Sequence, residues 1–198
     1  MSRFARIVLL AAVALCVAAP AASAVPPKKL AANLGALWTT VLETPSAQNP
    51  FGTGGDAFAC IDLGGTVAPF APDGVDSCTV KPGTKIFVAA SSVECSTFEG
   101  QGTTEAELRA CARESDQVEP TITVDGKFVP VIEVETRLLN IVLPADNLFD
   151  LPPGTQGLSV GHGWVTLLHP LTPGTHTIVL NPGTPNSITT TIVVQPGG

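Results

Sequence analysis

The sequence predicts a mainly β fold, an antiparallel β-sandwich with an N-terminal helix and one short disulfide-tethered helix. Three observations carry that prediction. Beyond Pro120 the chain becomes a series of short β-branched runs separated by Asp-Gly, Pro-Gly and Asn-Pro turns, the spacing of antiparallel sheets rather than of βαβ units. Helical periodicity is confined to two stretches, both upstream of Pro120. Four cysteines, Cys60, Cys78, Cys95 and Cys111, follow the apolar N-terminus, an even set of the kind that staples domains in oxidising compartments.

Arg3 and Arg6 precede an apolar run from Ile7 to Ala18, and Ala22-Ser23-Ala24 offers the small residues a signal peptidase needs. Residues 1–24 therefore read as a cleavable secretory signal, and residues 25–198 as one domain. A membrane anchor would need about 18–20 unbroken apolar residues, and Pro20 arrives too early. Cys16 follows Leu15 where a lipoprotein signal wants a small residue, so it is expected to leave with the leader. Of the 10 basic residues, Arg3 and Arg6 leave as well, which moves the net charge from −7 to −9 against 17 acids. An acidic secreted domain is a poor partner for nucleic acid or anionic membrane surfaces, and no membrane association is expected after cleavage.

Leu30, Leu34, Leu37, Trp38, Val41 and Leu42 recur at helical spacing, so Lys29 to Leu42 reads as an amphipathic helix ended by Pro45. Its stripe could serve a membrane or a partner, but packing on its own domain is the ordinary use of such a face. From Gln48 to Asp76 the density of Gly, Pro and Asp predicts loop with fragments of strand, and a strand is expected at Lys85 to Ala90 after the Pro82-Gly83 turn. Thr104 and Glu107 have the spacing of a capping box, which starts a second helix with Leu108, Cys111 and Ala112 on its buried side. Thr121 to Val124 and Lys127 to Val134 flank Asp125-Gly126, a dipeptide suited to a tight hairpin because both central residues need positive φ. Further strands are expected at Arg137 to Leu143, Trp164 to Leu168, Thr175 to Leu180 and Ser187 to Val194. From Leu151 onward there is no Asp, Glu, Lys or Arg; edge strands are usually guarded by charge, so this stretch should supply central strands or face a partner.

The cysteine gaps are too long for a zinc site, and disulfides are expected instead. Three pairings are possible and spacing alone does not choose among them. The sequential pairing, Cys60 with Cys78 and Cys95 with Cys111, is favoured here because each bond closes a short loop rich in Gly, Pro, Ser and Thr.

Gly157-Leu158-Ser159-Val160-Gly161 matches the nucleophile elbow of α/β-hydrolases, yet Pro152-Pro153-Gly154 precedes it and β-like residues follow, where the elbow needs a strand and then a helix. No acid follows Ser159 to complete that fold's triad; Asp146 or Asp150 could do so only on another scaffold. His162, His169 and His176 are the only histidines, but their separations of seven do not bring neighbours together on one strand. No metal, cofactor or catalytic residue is therefore assigned. Asp56, Asp62, Asp73, Asp76, Glu94, Asp146 and Asp150 could include a glycosidase pair, although spacing does not show which are close, and no calcium-binding ladder is present. With no Tyr, Trp164 is the one aromatic available to a sugar-binding face.

The segments Val80 to Phe87, Val124-Asp125-Gly126, Leu143 to Asn147, His162-Gly163-Trp164-Val165 and Pro170 to Ile178 together resemble a group of uncharacterised secreted bacterial proteins of actinobacterial type. The likeness runs from about Trp38 to the last strand and brings no activity with it. Members of that group often carry Asp-Gly before the aromatic, where this chain has His162-Gly163. The Pro170 to Ile178 element is also similar to the last hairpin of immunoglobulin-like and transthyretin-like domains, which implies a sandwich but no function. The expected function is a secreted, non-catalytic binding or surface-associated protein. Its ligand would be a cell-wall polymer or another protein, met by His162, Trp164, His169 and His176. The alternatives are an extracellular hydrolase using loop carboxylates and a structural cell-surface protein.

Overall fold

The structure is a computed structural model. It describes residues 25–49, 51–52, 60–70 and 77–197. The expected leader with Cys16, and the loop acids Asp56, Asp73 and Asp76, lie outside the described residues. Helix α1 (Pro27–Glu43) opens with a proline in its first turn, where the missing N–H costs nothing, and stops just before Pro45. A 3-10 turn (Ser46–Gln48) follows.

Two sheets hold the rest. The first contains β1 (Cys60–Asp62), β2 (Thr66–Pro69), β4 (Lys85–Ser96), β9 (Gln156–Leu168) and β7 (Ile132–Glu135) in that order, with β8 (Leu139–Val142) pairing with β9 beside β7. The second runs β3 (Cys78–Val80), β11 (Ile188–Val194), β10 (Gly174–Leu180), β5 (Ile122–Val124) and β6 (Lys127–Val129). Helix α2 (Glu105–Ser115) lies between β4 and β5 in the chain. The fold is mainly β with an N-terminal helix, as the sequence predicts, but the sheets are mixed rather than purely antiparallel. β2 pairs with β4, and β3 with β11, in parallel.

The long antiparallel pair β4 and β9 is the spine, and each of its faces is covered differently. On one face Ile86, Val88 and Leu168 pack against Ile122, Ile178 and Ile192 of the second sheet. Farther along the same face Cys95 and Val160 pack against Leu108 and Ala112 of α2. The opposite face, with Phe87 and Val165, takes the apolar stripe of α1, whose Leu30, Leu34, Leu37, Trp38, Val41 and Leu42 are all buried. The stripe is thus an internal packing surface. A register shift between Ala89 and Ser91 lets side chains of β4 change face, so that Ser91 and Val93 share the α2 side with Trp164 and His162.

The long strands of the charge-free C-terminal stretch are interior ones: β9, β10 and β11 each have neighbours on both sides, while of the edge strands β1, β6 and β7 carry charge and the short β3 and β8 do not. Both disulfides have the sequential pairing, Cys60–Cys78 and Cys95–Cys111. The capping box at Thr104 is formed with both of its hydrogen bonds, and those from Thr103 and Thr104 hold the Glu107 carboxyl down at about 2. The Asp125-Gly126 hairpin has positive φ at both residues.

Several strands differ from expectation, and β4 runs on past Ala90 to Ser96. Lys127 to Val134 is split at Pro130, which has no N–H for a ladder, and β6 and β7 end in different sheets. β8 starts at Leu139 rather than Arg137. β9 begins at Gln156, well before Trp164, because its glycines make room instead of marking loop. A Cβ on Gly157 would lie 2.5 Å from the Phe98 ring, and one on Gly161 would lie 2.6 Å from Cδ1 of Trp38.

Candidate functional site

The elbow-like motif lies inside β9. Ser159 is fully buried and donates its hydroxyl hydrogen bond to Glu94 of the neighbouring strand, so its Oγ is not presented to a substrate. Glu94 sits on the α1 side of the spine, and burial pushes its carboxyl up to about 7, aided by the nearby Glu99 and opposed by the Ser159 hydroxyl. A carboxyl poised near neutrality can hold or release a proton at physiological pH.

His162 faces the seam between α2 and the second sheet, where it is only 3% exposed. Its Nε2 lies 3.0 Å from Glu133 Oε1 on β7, and its Nδ1 lies 3.4 Å from Oδ2 of Asp116, the residue that ends α2. Ser91 donates to the other oxygen of Asp116 at 2.5 Å. His162 therefore bridges the end of α2 and the edge of the first sheet, with Nε2 hydrogen-bonded to Glu133 and Nδ1 buried near Asp116 without a hydrogen bond among the described residues. Trp164, one pleat away, is half-buried, and its Nε1 is buried without a hydrogen-bond partner among the described residues.

The other two histidines are elsewhere. His169 is exposed just past the end of β9, roughly 20 Å along the strand from His162, beside a notch of about 250 Å³ that it shares with Pro26, Lys29 and Lys85. His176 is on β10 of the second sheet, with Nδ1 2.7 Å from Asp125 Oδ2 and Nε2 2.8 Å from the Thr172 carbonyl oxygen. Those contacts, the Asp125 carboxylate first, raise its pKa above the ordinary histidine value. The structure therefore brings His162 and Trp164 onto one face and separates them from His169 and His176. Among the described residues no group of three or more His, Cys, Asp or Glu side chains could hold a metal ion. Of the loop acids, Asp62 caps the Gly64-Gly65 turn, and Asp146 accepts from the Ala47 N–H at 3.0 Å.

A further concavity is somewhere the spacing arguments do not reach. A groove of about 890 Å³ runs between the outer side of α1 and the segment that joins β7 to β8. Ala31, Ala32, Gly35 and Ala36 form its helical wall, and Glu135, Arg137 and Leu139 form the other. Glu135 is engaged by both Arg109 and Arg113 of α2. At Gly35 the helix approaches the strand segment closely, since a Cβ there would lie 3.4 Å from Leu139 Cδ2. A readable signal existed: opposite its leucine stripe, α1 carries small residues where a solvated helix face usually carries charge.

No protein-family model matches the chain, and no curated protein matches it. Among solved structures it is similar to one described as the solution structure of amebosin, at 14% identity over 66% of this chain and 96% of that one, with a TM-score of 0.25. A score that low supports no common fold. Among the described residues no helix is long and apolar enough to cross a membrane.

Proposed function

We propose that this is a secreted, non-catalytic binding protein whose ligand seats in the groove between α1 and the β7–β8 connection. The observation that carries this reading is the groove itself, about 890 Å³, with Ala31, Ala32, Gly35 and Ala36 in its helical wall, within the size range of small-molecule sites. The two disulfides support an oxidising, extracellular destination. Binding of the uncharged apolar dye Nile red to the purified protein tests the reading, beside an Ala36→Trp variant that fills the groove. Saturable dye emission that disappears in the variant, with an unchanged circular dichroism spectrum, is the expected result. Equal emission from both proteins would remove the groove from consideration.

Glu94 favours a second reading, a hydrolase in which this carboxyl acts as the acid at neutral pH. Turnover of aryl glycosides or esters that Glu94→Gln abolishes would establish it in place of the first.

A further inference from the structure

We infer that the groove takes a single-chain fatty acid, with the acyl chain along α1 and the carboxylate in the field of Lys28 and Arg137. The inference rests on the groove being the binding site and adds the chemistry of its occupant. Length is the first argument. The lining residues of α1 extend from Lys28 to Thr40, about 18 Å of helix at 1.5 Å per residue. That span accommodates an extended chain of about 14 carbons, each advancing about 1.3 Å. Ala31, Ala32, Gly35 and Ala36 keep the helical wall low over that length, so an unbranched chain can lie against it.

Charge is the second argument, and it selects the head group. Three charged residues line the groove: Lys28, Arg137 and Glu135. The negative one is neutralised by Arg109 and Arg113. Among the described residues neither the Lys28 nor the Arg137 side chain has an ion-pair or hydrogen-bond partner. Two cations without partners beside a groove with one low apolar wall complement an anion attached to an apolar body. α1 adds to this field, because its first turn carries no acidic residue against the positive end of the helix dipole. Arg137 can grip a carboxylate with two parallel hydrogen bonds, which Lys28 cannot do.

The experiment compares palmitate with uncharged monopalmitin, both below the concentrations at which they aggregate, by displacement of Nile red from the purified protein. Wild-type protein is expected to prefer palmitate at least tenfold. In Lys28→Gln/Arg137→Gln that preference should vanish while monopalmitin binding stays unchanged, and added salt should weaken only palmitate. Across saturated acids from eight to fourteen carbons, affinity should rise up to about fourfold per methylene. Equal affinity for palmitate and monopalmitin, both lost in Ala36→Trp, would overturn the fatty-acid inference and leave the groove as the site. Binding of neither, or binding that Ala36→Trp does not affect, would overturn the site itself.

Discussion

Glu94 makes the pH dependence of stability calculable. Its carboxyl titrates at about 7 in the folded protein against 4.5 for the ordinary side chain, because burial disfavours the charged form. A raised carboxyl pKa means the folded state holds the proton more tightly. The stabilising contribution is therefore complete below about 4.5, declines as pH rises through about 7, and is gone above it. The interval between the two values corresponds to about 3 kcal/mol, an upper figure because local opening would let water reach the carboxylate. Replacing the acid by its neutral isostere, Glu94→Gln, removes the titration and keeps an acceptor for the Ser159 hydroxyl. Urea unfolding at pH 5, 6, 7, 8 and 9 is the assay. The wild-type protein should lose stability across that window relative to the variant, and the variant should be the more stable one at pH 8. His176 also has a raised pKa and loses its stabilising contribution as pH rises, but it is common to both proteins and cancels in the difference. Parallel stability curves for the two proteins would refute the reasoning, as would a carboxyl carbon of Glu94 that titrates near 4.5 by NMR.

Two further outcomes follow from packing and cross-linking. Gly161→Ala places a methyl group 2.6 Å from Cδ1 of Trp38, so α1 must shift against the spine. It should cost about 1–3 kcal/mol in unfolding free energy and change the environment-sensitive fluorescence of Trp38. Replacing Cys95 and Cys111 together by alanine removes a bond across a sequence separation of 16 and should cost about 3 kcal/mol, measured under non-reducing conditions against the wild-type protein.

How much of this was legible depends on whether a residue's role is local. The capping box of α2 and the Asp125-Gly126 turn are local, set by residues within four positions of one another, and the sequence shows them directly. The interior placement of β9, β10 and β11 is legible for a different reason, since a charge-free strand makes a poor edge. What was hidden depends on pairs far apart in the chain. Gly157 and Gly161 stand in the sequence only as the ends of an elbow-like motif, and the closeness of Phe98 and Trp38 to them comes from distant parts of the chain. Glu94 stands out from the other acids only when β9 brings the buried Ser159 beside it. His162 looked available to a ligand, and it is buried between Asp116 and Glu133, 46 and 29 positions away along the chain, with Glu133 on its Nε2. The groove was half-readable, because one wall is a run of small residues on α1 and the other is supplied by a distant strand.

The position of β3 has a consequence for what happens when the protein meets a reductant. β3 is three residues long, and it is the strand that covers the outer side of β11. Two covalent ties hold it to the other sheet, the Cys60–Cys78 bond at its start and the short turn from Val80 to Lys85 at its end. Seven residues of β11, Ile188–Val194, carry no charge and include Ile192 and Val194 of the core. Once that bond is cut, β3 is held by the turn into β4 and by its own packing, and each time its free end peels back the Ile192–Val194 part of β11 becomes a bare sheet edge with no charge to repel a second copy. Reduction would thus favour self-association through strand addition before the rest of the fold is lost, and the disulfide serves the colloidal stability of the protein as much as its folding.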